Sequence, residues 1–241
     1  MLRAISLNSP MTNRFLFLFL TISIVGLSMP AAAQTAGRLY DPEPPVDSGY
    51  VRVIVAAQTA PVDVLVDGQT RVRKLASEQL GEYMVLTEGR HTITLNLFDK
   101  PVALLSKTIE VARGKSITLA VTSVRKDATF FSFEDKGNTN KLKAVLTAYN
   151  LDPKAESLDI LTGDGSTKVF GGLTYGAMAS IQVNPIVVDL IVTNTGGRLS
   201  MSRTSLEMQQ GATYSVLLLG SNGGKTVIKT VQNRAERYTG K

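Results

Sequence analysis

The feature that most restricts the fold is a strand pair that occurs twice. In residues 50–68 an apolar run over 50–57 meets a corner at Pro61, a second run over 62–66, and an Asp67-Gly68 turn. About 97 residues later the same order returns: a run over 142–150, a corner at Pro153, a run over 158–161, and a Gly163-Asp164-Gly165 turn. Val62-Asp63-Val64 matches Leu158-Asp159-Ile160, and Gly114 and Gly211 each precede the last long run of their unit. Runs of alternating β-branched residues between Gly, Pro and Asp turns describe short strands, because such side chains suit a half-buried pleated surface. The repeat therefore predicts an all-β protein of two tandem β-sandwich domains, Ig-like or jelly-roll-like.

The boundaries follow from composition. Residues 15–29 are apolar, Arg14 precedes them, and Pro30-Ala31-Ala32-Ala33 supplies small residues for cleavage, the pattern of a secretory signal over 1–33. Removing it takes away Arg3 and Arg14 and no acid, so the formal +6 becomes about +4. That balance helps attract an acidic partner and falls short of a nucleic-acid footprint. Residues 34–48, with Asp41-Pro42-Glu43-Pro44-Pro45, form an extended lead-in, since proline cannot donate to a sheet. Domain 1 spans 49–124 and domain 2 spans 142–232; between them lies a charged, Gly- and Asn-containing linker over 125–141, and 233–241 form a flexible tail.

Catalysis needs a positioned acid, base or nucleophile. There is no cysteine and one histidine, so Cys–His chemistry and disulfides are excluded and any Ser–His–acid triad must use His91. No Gly-x-Ser-x-Gly elbow occurs. Ser166 follows Gly163-Asp164-Gly165, but Asp-Gly between two strands is first a hairpin turn. Calcium-loop spacing, a zinc ligand set and a phosphate loop are missing, so no metal, cofactor or catalytic residue is assigned and the chain is read as a non-enzyme.

Binding residues are easier to nominate. Phe130, Phe131 and Phe133 cluster inside the linker, and Leu39, Tyr40 and Pro42 stand out in the lead-in; these six are the candidate partner-docking residues. The bland alternative for the phenylalanines is packing into one domain or between the two. Arg52, Arg71, Arg73, Lys74, Arg90, Lys225 and Lys229 could line a basic face toward an anionic polymer, although interspersed acids favour ordinary surface charge.

Taken in order, Leu39-Tyr40-Asp41-Pro42, Gly49-Tyr50-Val51-Arg52-Val53, Asn140-Lys141-Leu142-Lys143-Ala144, Tyr149-Asn150-Leu151 and Val183-Asn184-Pro185 resemble the AlgF family of alginate biosynthesis proteins, over residues 38–220. Departures are a longer stretch before the signal core and extra length over 98–111. The resemblance implies a periplasmic accessory protein required for O-acetylation of an exopolysaccharide, alginate or similar. Such a protein binds the acetylation enzymes or relays acetyl groups between them. The implied partners are periplasmic and membrane-bound polysaccharide O-acetyltransferases, with an acidic polysaccharide as a further candidate and no nucleic acid. The alternative is a non-catalytic polysaccharide-binding module of the cell envelope.

Overall fold

The computed structural model describes residues 43–124, 130–197 and 202–239. The signal segment, most of the lead-in, and the docking candidates Leu39, Tyr40 and Pro42 lie outside the described residues. Sixteen strands and no α-helix make up what is described. Among the described residues, no helix is long and apolar enough to cross a membrane.

The first sandwich comprises β1 (Ser48–Val55), β2 (Val62–Val66), β3 (Gln69–Leu75), β4 (Met84–Thr87), β5 (Gly89–Leu97), β6 (Ala103–Val111), β7 (Ser116–Val121) and β8 (Phe130–Asp135). The second comprises β9 (Ala144–Asn150), β10 (Ser157–Thr162), β11 (Lys168–Thr174), β12 (Met178–Val183), β13 (Val187–Asn194), β14 (Ser202–Glu207), β15 (Thr213–Gly220) and β16 (Thr226–Gln232). The sheets run β4-β1-β7-β8 and β3-β2-β5-β6 in the first, β12-β9-β15-β16 and β11-β10-β13-β14 in the second. Adding eight to every strand of the first unit gives the second, so the whole topology is duplicated.

Details of register repeat as well. β1 runs parallel to β7, and β9 runs parallel to β15. Tyr50 N donates to Lys115 O (2.8 Å) where Val145 N donates to Ala212 O (3.0 Å), and Gly114 N reaches Ser48 O where Gly211 N reaches Lys143 O. Both β2 and β10 carry a bulge against the next strand. In each, the aspartate matched in the sequence holds it: Lys74 N donates to Asp63 Oδ1 and Gly172 N to Asp159 Oδ1, both at 2.8 Å. The donating residues lie in the left-handed region, at φ +56° and +66°.

Residues 125–141 do not stay free of strands, as the linker reading expected. Within them Phe130–Asp135 pairs antiparallel with β7 as β8, the eighth strand of the first sandwich. The segment looked like a linker because charged residues flank it on both sides.

Each sandwich has its own apolar core. Val51, Val53, Val64, Ile93, Leu95 and Leu119 centre the first; Leu146, Leu158, Ile160, Val192, Val216 and Leu218 centre the second. A third cluster joins them: Ile54, Ala120, Phe133, Tyr149, Leu151, Leu217 and Leu219. Sheet β4-β1-β7-β8 thus packs its outer face on the outer face of β12-β9-β15-β16. This explains why β9 is buried along its whole length. Alternate side chains enter opposite layers, Leu146 and Ala148 the sandwich core and Tyr149 the seam, so the strand reads as an unbroken apolar run.

Candidate functional site at the seam between the sandwiches

Apolar packing forms most of the seam, but at its centre sits a guanidinium. Arg52, on β1, is 1% exposed. Its Nε donates to Thr118 Oγ1 (2.8 Å), Nη1 to Asn233 Oδ1 (2.7 Å), and Nη2 to Tyr149 Oη (3.1 Å) and Ser215 Oγ (2.9 Å). The Tyr83 ring lies beneath it, 4.2 Å from Cζ to the ring centroid, in cation–π geometry. Its counter-ion is Asp135, at the end of β8, with Nη2 to Oδ2 at 4.0 Å.

Asp135 is satisfied by three hydroxyls. Tyr83 Oη donates to Oδ2 at 2.8 Å, Thr118 Oγ1 to Oδ2 at 2.5 Å, and Tyr149 Oη to Oδ1. A charge pair buried this deeply is tolerable only when each lone pair and proton has a partner. Burial pushes both phenols, Tyr83 and Tyr149, above the usual tyrosine range, and the Asp135 charge adds to it while Arg52 opposes it.

The duplication is broken here. By register Thr118 corresponds to Ser215, and Asp135, opposite Ser116, corresponds to Asn233, whose N donates to Thr213 O. Arg52 corresponds to Thr147, which bonds Ser180 Oγ at 2.8 Å. The first sandwich therefore supplies the charges and the second supplies neutral acceptors.

Phe131 and Phe133 find their partner within the chain. Phe133 is buried in the seam, edge-on to Tyr149 with centroids 5.3 Å apart. Phe131 is half-buried, stacks on Phe133 at 5.9 Å and meets Tyr175 edge-on at 5.0 Å. The docking role expected of these two is filled by the second sandwich. Phe130 packs against the first core, with Lys107 Nζ 4.9 Å from its centroid.

The expected free tail is also engaged at its start. Ala235 pairs in parallel with Tyr83: Tyr83 N donates to Arg234 O (2.9 Å) and Glu236 N to Tyr83 O (2.8 Å). The Glu236 carboxylate accepts Val85 N–H at 2.9 Å and pairs with Arg71. A segment following β16 of the second sandwich thus extends the edge of sheet β4-β1-β7-β8 in the first.

Other nominated residues pair with acids or hold turns. Arg73 pairs with Asp99, Arg90 with Glu110 and Lys229 with Glu78, so the charge of these three nominated basic residues is met by neighbouring acids. His91 faces Asp67 Oδ2 (2.7 Å) and Thr87 O (2.8 Å), and the Thr92 N–H and His91 hold the Asp67 carboxyl below its ordinary range. Ser166 Oγ donates to Asp164 Oδ2 (2.8 Å); with Thr162 it holds that carboxyl at about 2, in a hairpin turn. Among the described residues, no group of three or more His, Cys, Asp or Glu side chains gathers as a metal site.

Grooves open where the seam meets solvent. One, of about 710 Å³, lies between the β6–β7 turn (Arg113, Lys115), the end of β8 (Glu134, Lys136) and β12 (Ser180, Gln182). Another, of about 610 Å³, lies between Gln58 and Thr122 on one side and Pro153, Tyr175 and Asn222 on the other. Arg52 was visible in the sequence as an arginine inside an apolar strand, and that unusual position was the available signal.

A duplicated β-sandwich joined through a buried charged seam is the class of protein defined by this fold. The family described as Domain of unknown function (DUF4397) matches residues 49–161, from β1 into β10 of the second sandwich. Alginate biosynthesis protein AlgF of Pseudomonas aeruginosa is 24% identical over 220 residues, 89% of this chain and 93% of that protein. Its counterpart in Pseudomonas syringae pv. tomato is 25% identical over 201 residues, 81% of this chain and 82% of that protein. The solved C-terminal domain of AlgF from P. aeruginosa aligns in full with 39% of this chain, at 24% identity and a TM-score of 0.33. The chain is an AlgF-like protein with a DUF4397 domain.

Proposed function

We propose that this chain is a periplasmic accessory protein of exopolysaccharide biosynthesis, acting in O-acetylation of alginate or a similar polymer by holding acetylation enzymes together. The observation that carries this reading is the likeness to AlgF along 89% of the chain, both sandwiches included. Localisation follows from the same likeness and from the signal pattern over 1–33.

The geometry supports binding as the mode of action. His91, Ser166, Tyr83 and Tyr149 are each committed to structural hydrogen bonds, in turns or in the seam. The seam makes one body of two sandwiches, with charged grooves along their junction. A stiff two-lobed body offers separate surfaces at a fixed spacing, as an adaptor between enzymes requires.

The test is a deletion strain complemented with the wild-type chain, scored by the O-acetyl content of purified exopolysaccharide. Loss of acetylation with polymer yield maintained, restored on complementation, is the expected result. Unchanged acetylation in the deletion strain overturns the reading.

A further inference from the structure

The free edge of β12 is where the second sandwich differs most usefully from the first. In the first sandwich the corresponding strand, β4, is the end of its sheet, and its outward edge carries the chain's own Arg234-Ala235-Glu236. In the second, β12 is likewise the end of its sheet. Among the described residues no backbone hydrogen bond reaches it from outside.

The edge is aimed correctly for strand addition. Asn150 N donates to Ala177 O at 3.0 Å, and β12 continues antiparallel to β9 with Ala179 opposite Ala148 and Ile181 opposite Leu146. Hydrogen-bonded pairs alternate along such a ladder, so Met178, Ser180 and Gln182 turn their N–H and C=O groups to the free side. Ser180 stands opposite Thr147 as the docked Tyr83 stands beside Arg52, the register equivalent of Thr147. The same backbone atoms that bind the tail on β4 are thus presented, unfilled, on β12.

The surroundings state the occupant's charge. Ser180 and Gln182 border the 710 Å³ groove, whose opposite wall carries Arg113, Lys115 and Lys136. Lys115 is paired with Glu134 at 2.5 Å, and Asp135 turns into the seam toward Arg52. Arg113 and Lys136 are exposed and form no ion pair among the described residues. On β4 the tail's own acid, Glu236, meets a backbone N–H and Arg71.

We propose that β12 is a strand-addition site for an extended acidic segment of a partner protein. Its backbone pairs with Met178, Ser180 and Gln182, and its carboxylates face Arg113 and Lys136. Strand addition gives affinity through main-chain bonds and selectivity through alternate side chains. The site gives the proposed adaptor a specific surface and rests on that reading for its biological use, although the binding event does not depend on it.

The probe is a capped synthetic peptide of alternating Glu and Val, about eight residues long, titrated against the full mature chain. Binding is followed by anisotropy and by amide hydrogen exchange. Slowed exchange at Met178, Ser180 and Gln182, with unchanged exchange at Tyr83 and Val85, is expected. Gln182→Pro removes an outward donor while sparing the β9 ladder and should abolish that protection. Arg113→Glu with Lys136→Glu, both exposed, should weaken binding about tenfold at low salt and keep the fold. Protection confined to another edge, or tight binding that survives both variants, overturns the proposal. Concentration-dependent self-association that protects these same amides overturns it too, by making a second copy the occupant. In the deletion strain, rescue of acetylation by Gln182→Pro at the wild-type level refutes the site's use while leaving the adaptor role intact. Normal acetylation without any copy refutes the adaptor role and leaves the peptide result to stand or fall alone.

Discussion

Arg52 and Asp135 face each other inside the seam with Nη2 and Oδ2 4.0 Å apart and side chains 1% and 5% exposed. They come from β1 and β8 of the same sandwich, yet Tyr149, Ser215 and Asn233 of the other complete their hydrogen bonding. The pair therefore belongs to the junction as much as to either half. A buried ion pair adds little net stability compared with apolar residues of the same shape, but breaking one partner is costly.

Arg52→Met should destabilise the protein by about 3–5 kcal/mol in urea unfolding, because it strands the Asp135 carboxylate. Adding Asp135→Asn to that variant should recover part of the loss. Equal losses for the single and double variants would show that the charge is not the cause.

Alkaline pH should weaken the fold through Tyr83 and Tyr149. Their folded values are raised above the unfolded one, so the unfolded chain releases its phenolic protons first. The stability they contribute is complete below about pH 10 and falls as pH rises beyond it toward their folded values. Ultraviolet titration should show these two phenolates appearing together with unfolding. Tyr83→Phe with Tyr149→Phe should flatten the decline above pH 10.

Gly172→Ala and Gly176→Ala separate conformational strain from collision. Both glycines have positive φ, but a Cβ on Gly172 meets nothing within 4 Å, whereas one on Gly176 would lie 2.3 Å from Phe131 Cε1. The first should cost about 1 kcal/mol. The second should cost more, and Phe131→Ala in the same chain should relieve the excess, as thermal unfolding would register.

Glu236→Ala removes an acceptor from Val85 N–H and the partner of Arg71. A loss of about 1–2 kcal/mol is expected. Hydrogen exchange should quicken at Tyr83 and Val85 while the second core keeps its protection. Uniform quickening across both sandwiches would mean that the segment holds up the whole molecule.

Much of the architecture can be read in the chain because the repeated units carry the same punctuation. Asp63 and Asp159, and Gly114 and Gly211, occupy matching places, and each does the same job in both halves. The eighth strands were harder to read. β8 is short and embedded among charged residues, which disguised it as linker, and β16 follows the Ser221–Gly224 turn close to the expected tail. The seam was harder still. An arginine inside a strand ordinarily points to water, and only the stacking of four sheets makes Arg52 interior. Phe131 and Phe133 were conspicuous as binding residues, but periodicity cannot tell an outside partner from another part of the same chain.

The strap at Arg234–Glu236 sets an order of events. A chain synthesised amino end first exposes β1 to β8 before residues 234–236 follow. Until then β4 keeps a bare margin, and Arg52 waits for Asn233 to arrive. The first half to emerge is consequently the last to be finished, and its margin stays open to other strands until the chain is complete.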